Sequence, residues 1–258
     1  MRLLASICIG VFLSLSIVVL RAPNVYAAGT VHAVQTGQDD SLYDPFEKNG
    51  GKDTDQQLVA DPLEKFNRGM FVFNDKLYYW VLKPAAQGYS YVVPEPARTC
   101  VKRFFLNLAT PIRLVNCALQ GKFKGAGSEL MRFTVNSTAG IAGLFDPAYY
   151  CWDLKRSDED TGRTFGAWGV GHGIYIVWPF FGPSSARDTV GMIGDIFLDP
   201  LTYVDTNLWE SASITAYDKI NAVSLKINEY DEFKKSAFDP YVSLRSAYIQ
   251  NRQHGLRQ

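Results

Sequence analysis

The chain has 258 residues, 26 basic and 26 acidic side chains, 47% hydrophobic residues and 14% aromatic ones. That length supplies one large domain or two small ones, enough to bury a sizeable core. The charge balance excludes a binder of nucleic-acid phosphates, and the apolar content excludes wholesale disorder.

In chain order, Leu3 to Leu20 is apolar apart from three serines and a glycine, with Arg2 before it and Arg21 and Pro23 after it. Val25-Tyr26-Ala27-Ala28 has the small-x-small pattern of a signal-peptidase site, so residues 1–27 read as a secretory signal cleaved after Ala27. The alternative is an uncleaved anchor, since the run is just long enough to span a bilayer. Cys8 lies inside the apolar run rather than after it, so no lipidated cysteine is expected. Cleavage removes Arg2 and Arg21, leaving 24 basic and 26 acidic groups, a net of −2. Residues 28–58 are polar, rich in Gly, Asp and Gln, and read as a flexible leader. Residues 59–258 then form the domain. Its cysteines, Cys100, Cys117 and Cys151, are odd in number and read as buried free thiols or one bridge.

Asp-Pro recurs as punctuation at 61–62, 146–147, 199–200 and 239–240, where Asp can cap a helix that Pro begins. Asp61 and Glu64 have capping-box spacing. From there Leu63, Phe66, Met70, Phe73, Leu77, Trp80 and Val81 share one helical arc, with Glu64, Lys65, Arg68, Asp75 and Lys76 opposite. The pattern predicts an amphipathic helix of about twenty residues ending near Lys83-Pro84. Asn67 and Asn74 fall seven apart in the middle of that apolar arc. Their amides must bond neighbouring helices or face a wet path, since an unpaired buried amide costs about 1–3 kcal/mol. Further helices are predicted at 96–108, 111–120, 125–138, 185–197, 208–235 and from Pro240 to about Arg252. Only Ile174–Phe181 reads as a strand, so the fold class is mainly α.

Two stretches carry no Asp, Glu, Lys or Arg: Phe133–Phe145 and Thr164–Ala186. The first is too short to cross a membrane as a helix, and the second is broken by glycines and prolines. Their aromatics suit either a headgroup boundary or a buried loop layer. No HExxH, GxSxG or P-loop occurs, and Gly169-Val170-Gly171-His172-Gly173 has the wrong spacing for a dinucleotide loop. A hydrolase would have to assemble His172 and Asp188 with Ser184 or Ser185 in three dimensions. No catalytic, metal or cofactor site is predicted.

The stretch Asp61-Pro62-Leu63-Glu64-Lys65-Phe66-Asn67-Arg68, on to Phe73-Asn74, resembles the opening of the MlaA/VacJ family. The likeness continues through Tyr91-Val92-Val93-Pro94-Glu95-Pro96-Ala97-Arg98, Arg132-Phe133, Asn136–Gly140, Gly143–Asp146, Arg163–Gly166 and Trp168–Gly171. Pro179–Gly182, Arg187-Asp188 and Asp239-Pro240-Tyr241 complete it. The resemblance implies a helical ring in the inner leaflet of the outer membrane around an amphipathic channel. Such proteins remove mislocalised phospholipid from the outer leaflet and pass it to an MlaC-like periplasmic lipid-carrier protein. They are held by a trimeric porin and perform no covalent chemistry. On that footing the channel candidates are Phe66, Asn67 and Asn74, with Gly140, Gly143, Gly166 and Gly171 allowing backbone bends. The membrane-interface candidates are Phe165, Trp168, Tyr175, Trp178, Phe180 and Phe181. The alternative is a periplasmic scaffold that binds an outer-membrane protein and moves no lipid. The missing lipid-bearing cysteine departs from many members of the family and leaves the mode of attachment open.

Overall fold

The computed structural model describes residues 61–257, so the expected signal peptide (1–27) and leader (28–58) lie outside the described residues. The amphipathic pattern after Pro62 becomes α1 (Glu64–Leu77), and it does not stop at Lys83-Pro84. A π-helical turn, Tyr78–Leu82, carries the chain into α2 (Lys83–Val92). The Lys83 N–H reaches the Tyr78 C=O, an i→i+5 bond. That wider turn accommodates the Pro84 ring, which would clash with the i−4 carbonyl of a regular α-helix. The expected capping box is absent too. The Asp61 carboxylate instead takes Asn67, Tyr241 and Arg245, and Glu64 pairs with Arg68.

Next come α3 (Glu95–Leu108), α4 (Thr110–Leu119) and α5 (Phe123–Thr138), all within a few residues of the predicted spans. Two short helices lie outside the predicted spans: α6 (Pro147–Trp152), which starts at the Asp146-Pro147 pair with Asp146 as its cap, and α7 (Thr161–Ala167), capped by Asp160. The predicted strand becomes one arm of a hairpin, β1 (Tyr175–Trp178) antiparallel to β2 (Gly182–Ser185), with Tyr175 opposite Ser185 and Trp178 opposite Gly182. Helix α8 (Ala186–Leu198) follows, capped by Ser185.

The long helix expected at 208–235 is two, α9 (Leu208–Ser224) and α10 (Glu229–Ser236). Neither Gly nor Pro breaks it. Arg98 takes the Ser224 C=O and the Tyr78 hydroxyl takes the Ile227 C=O, so tertiary donors replace the helix's own. The last helix, α11 (Pro240–Arg257), extends past the predicted end and ties Asp61 to α7 and α8 through Arg245 and Arg252.

Contacts between these elements close on themselves. They run from α1 through the π turn, α2, α9, α3, α4, α7, α8, β2 and β1 back to α1. The architecture is a mainly helical ring. Its apolar core is small, centred on Tyr175, Val177, Tyr241 and Tyr248. Among the described residues, buried polar and charged side chains outnumber buried hydrophobic ones eighteen to ten. Burying such groups is costly unless they are paired, and the interior is built from pairings. Arg113 binds Glu129, which also accepts the Ser157 N–H. Arg132 and Asn136 bind Asp146, Asn116 binds Thr164, and Asp188 takes Arg187, Tyr248 and Arg252.

Candidate functional site

The outer surface is the counterpart of that polar interior. Along α1 and the π turn after it, Phe66, Val72, Phe73, Trp80 and Val81 are exposed, while Asn67, amid the same arc, is completely buried. On α8, Val190, Ile193, Ile196 and Phe197 are exposed, and in the two uncharged stretches so are Ile141, Phe145, Trp168, Phe180 and Phe181. A water-facing surface scatters such residues singly; contiguous apolar faces of this extent mark contact with lipid or protein. No helix among the described residues is long and apolar enough to cross a membrane.

The helices α3, α4 and α5 and the segment joining α9 to α10 border a cavity of about 280 Å³. Six cations, Lys102, Arg103, Arg113, Arg132, Arg156 and Lys226, stand on its wall against three carboxylates, Glu95, Asp146 and Glu229. The deepest cations are fixed. Arg113 Nε donates to Glu129 Oε2 at 2.9 Å, and its Nη2 to Leu106 O and Thr110 Oγ1 at 2.9 and 2.8 Å. Burial pulls the Arg113 pKa below its ordinary value, while Glu129 pulls the other way. Arg132 Nη2 binds Asp146 Oδ2 at 2.6 Å. Such a wall can hold an anion and cannot easily pass a bare acyl chain.

Of the expected channel residues, Gly143 lines this cavity. Its φ of +89° and the Asn107 side chain, 2.3 Å from where a Cβ would sit, leave room for glycine alone. Gly140 turns the same loop against Asn136 O and Phe145 O. Phe66 points outward, Gly166 packs against Arg187 and Leu256, and Gly171 has open space around it.

Asn67 and Asn74 line no part of the cavity, and their placement is of a different kind. Asn67 Nδ2 donates to Tyr175 O at 3.0 Å while its Oδ1 accepts the Val177 N–H at 2.8 Å. Asn74 repeats the contact, donating to Trp178 O at 2.9 Å and accepting the Phe180 N–H at 2.8 Å. Each primary amide imitates one residue of a partner strand. Seven helical residues advance about 10.5 Å, so the first amide closes the outer edge of β1 and the second reaches its last residue and the turn that follows it.

The membrane-interface candidates divide. Trp168, Phe180 and Phe181 are exposed, and Phe165 and Trp178 are half-buried. Tyr175 is in the core at 2% exposure, because its backbone sits under Asn67 and its ring packs between Tyr241 and Tyr248. Phe180 adopts φ +67°, unusual for a bulky residue, and is held there by Asn74 and the edge of the Phe73 ring at 5.4 Å.

The hydrolase arrangement is not assembled. Ser185 caps α8, Ser184 contacts Thr189, and Asp188 is engaged by two arginines and Tyr248. His172 Nδ1 is buried without a partner. Burial first, then the Arg187 charge, holds the His172 pKa below 6.5.

Sequence reasoning missed the cavity cations because they come from separate elements. One signal was available: Arg113 is the single charged residue of α4, and a lone charge in an uncharged helix needs a buried partner.

The family model described as "MlaA lipoprotein" matches residues 59–255. The chain belongs to the MlaA family. Escherichia coli K12 has an intermembrane phospholipid transport system lipoprotein MlaA that is 33% identical over 204 residues, covering 76% of this chain and 78% of that protein. The protein of the same name from Haemophilus influenzae is 31% identical over 196 residues, covering 75% and 78%. A Rickettsia felis protein is 36% identical over 212 residues, covering 81% and 84%. A solved structure described as the structural basis for maintenance of bacterial outer membrane lipid asymmetry superposes with a TM-score of 0.68 at 32% identity. It covers 76% of this chain and 99% of its own. The apolar exterior and the cation-lined cavity thus belong to an MlaA-type ring.

Proposed function

We propose that this MlaA-family chain is a non-enzymatic component of intermembrane phospholipid transport at the periplasmic face of the outer membrane. It takes phospholipids mislocalised to the outer leaflet, guides their headgroups through the polar interior of the ring, and delivers them to an MlaC-like periplasmic carrier while a trimeric porin holds it. One observation carries the reading: the polarity is inverted, with charges inside and aromatic and aliphatic side chains outside. A headgroup and two acyl chains need those two environments side by side, and a protein surrounded only by water would not expose α1 and α8 in this way.

In this reading Trp168, Phe180 and Phe181 enter the headgroup boundary, with Phe165 and Trp178 behind them. Gly143 keeps the wall of the path open. Asn67 and Asn74 serve the path indirectly, by holding the hairpin that carries Phe180 and Phe181.

Membrane fractionation, with lipid analysis of the purified full chain, tests the proposal. Recovery with outer membranes and co-purifying phospholipid is the expected result. Outer-membrane recovery without bound lipid would favour a scaffold, and a lipid-free protein in the aqueous extract would overturn both.

A further inference from the structure

The cavity charges are not equivalent. Arg113 is matched by Glu129 at 2.9 Å, Arg132 by Asp146 at 2.6 Å, Arg156 by Asp158 at 3.1 Å and Lys226 by Glu229 at 2.9 Å. Arg103 is different. Its hydrogen-bond partner is neutral, the Tyr150 hydroxyl at 2.7 Å, and its guanidinium carbon stands 5.4 Å from the Tyr150 ring centroid. Among the described residues, Arg103 therefore brings to the wall a positive charge with no carboxylate against it. Tyr150 is exposed and stands off the cavity wall, so it steadies the guanidinium from outside. The arginine fork itself is a set of donors suited to phosphate oxygens.

We propose that the cavity recognises the phosphate of a net-anionic phospholipid headgroup, and that Arg103 sets a preference for anionic over zwitterionic lipid. The inference rests on the transport reading above. At about 280 Å³ the cavity falls just below the roughly 300–1,000 Å³ of sites that enclose a drug-sized ligand, so it admits a headgroup and leaves the chains outside. A zwitterionic lipid would need a carboxylate close to the phosphate site for its ammonium. Asp146 and Glu229 are already paired. Glu95 lies eight residues before Arg103 on α3, about 12 Å along the axis, out of reach of one headgroup. The surplus of cations on the wall repels the ammonium.

The test uses the purified full chain in detergent, stripped of lipid and mixed with vesicles equimolar in phosphatidylglycerol and phosphatidylethanolamine. Bound lipid is then quantified by mass spectrometry. The wild-type chain is expected to enrich phosphatidylglycerol about fivefold, as a charge-assisted hydrogen bond in a partly wet site would give. Arg103→Gln should bring the ratio close to that of the vesicles, and Arg103→Lys should retain part of the enrichment. Helical circular dichroism of each variant checks the fold.

Lipid bound at the vesicle ratio by the wild-type chain, or unchanged enrichment in R103Q, would overturn this inference and leave the transport reading standing. If inorganic phosphate abolishes the Arg103-dependent preference while total bound lipid is constant, the site is one for free phosphate and the inference fails. Absence of bound lipid in every sample would overturn the transport reading itself.

Discussion

Asn67→Leu is the perturbation that tests the amide clamp most directly. Tyr175 and Val177 are 2% and 1% exposed, so losing the Asn67 amide orphans a buried C=O and a buried N–H that water cannot reach. At about 1–3 kcal/mol for each orphaned group, the loss is about 2–6 kcal/mol, a large share of the roughly 5–15 kcal/mol that holds a domain together. Asp61 loses one donor but keeps Tyr241 and Arg245, which adds little. Asn67→Asp should be no milder. It keeps the acceptor for Val177 but removes the donor to Tyr175, and it sets a carboxylate where Nδ2 now lies 2.9 Å from Asp61 Oδ1. Asn74→Leu should lose only about 0.5–1.5 kcal/mol, because Phe180 is exposed and water can replace the bond. The assay is urea unfolding in mild detergent, followed by tryptophan fluorescence and compared at constant m-value. A loss below about 1 kcal/mol for N67L, or a larger loss for N74L than for N67L, would refute the strand-imitating role.

Other expectations follow from the same interior. Glu129→Ala leaves Arg113 buried without its carboxylate and should destabilise by about 3–5 kcal/mol, read as a lowered urea midpoint. Gly143→Ala, at positive φ and against Asn107, should lower the melting temperature by several degrees, whereas Gly171→Ala, in open space, should change stability by less than about 0.5 kcal/mol. The native His172 takes up its proton below 6.5, so the unfolded chain binds more protons just below that pH, and stability falls as pH drops through 6.5. His172→Gln should flatten this part of a melting-temperature profile, well above the range where Asp239, held low by Arg68, titrates. All three domain cysteines are free; maleimide should label exposed Cys151 and spare Cys117, which is buried and whose thiol pKa burial raises, as intact mass will report.

The helices were legible in the residues because their period is local. Spans at 96–108, 111–120 and 185–197 needed only apolar spacing and a Pro or Ser at the start, and 125–138 needed the spacing alone. Where prediction and structure part, a distant group intervenes. Asp61 abandons its capping box for α11, and Arg98 and Tyr78 divide the helix expected at 208–235. The asparagine pair was legible as an anomaly, two amides on an apolar arc, yet neither residue names its partner. That partner lies more than a hundred residues away in β1.

An amphipathic pattern also has no sign. Taken alone, the sequence established that α1 has two unlike faces, that two stretches lack charge, and that the chain resembles the MlaA family. Only the closed ring decided which faces turn inward. There Asn67, Glu129, Arg132 and Asp188 find partners on other elements, and Phe66, Phe73 and Trp80 are left outside. The cavity and the Arg103 charge within it arise in the same way. A charge acquires its environment from every segment that packs around it, and no single stretch of sequence contains those segments.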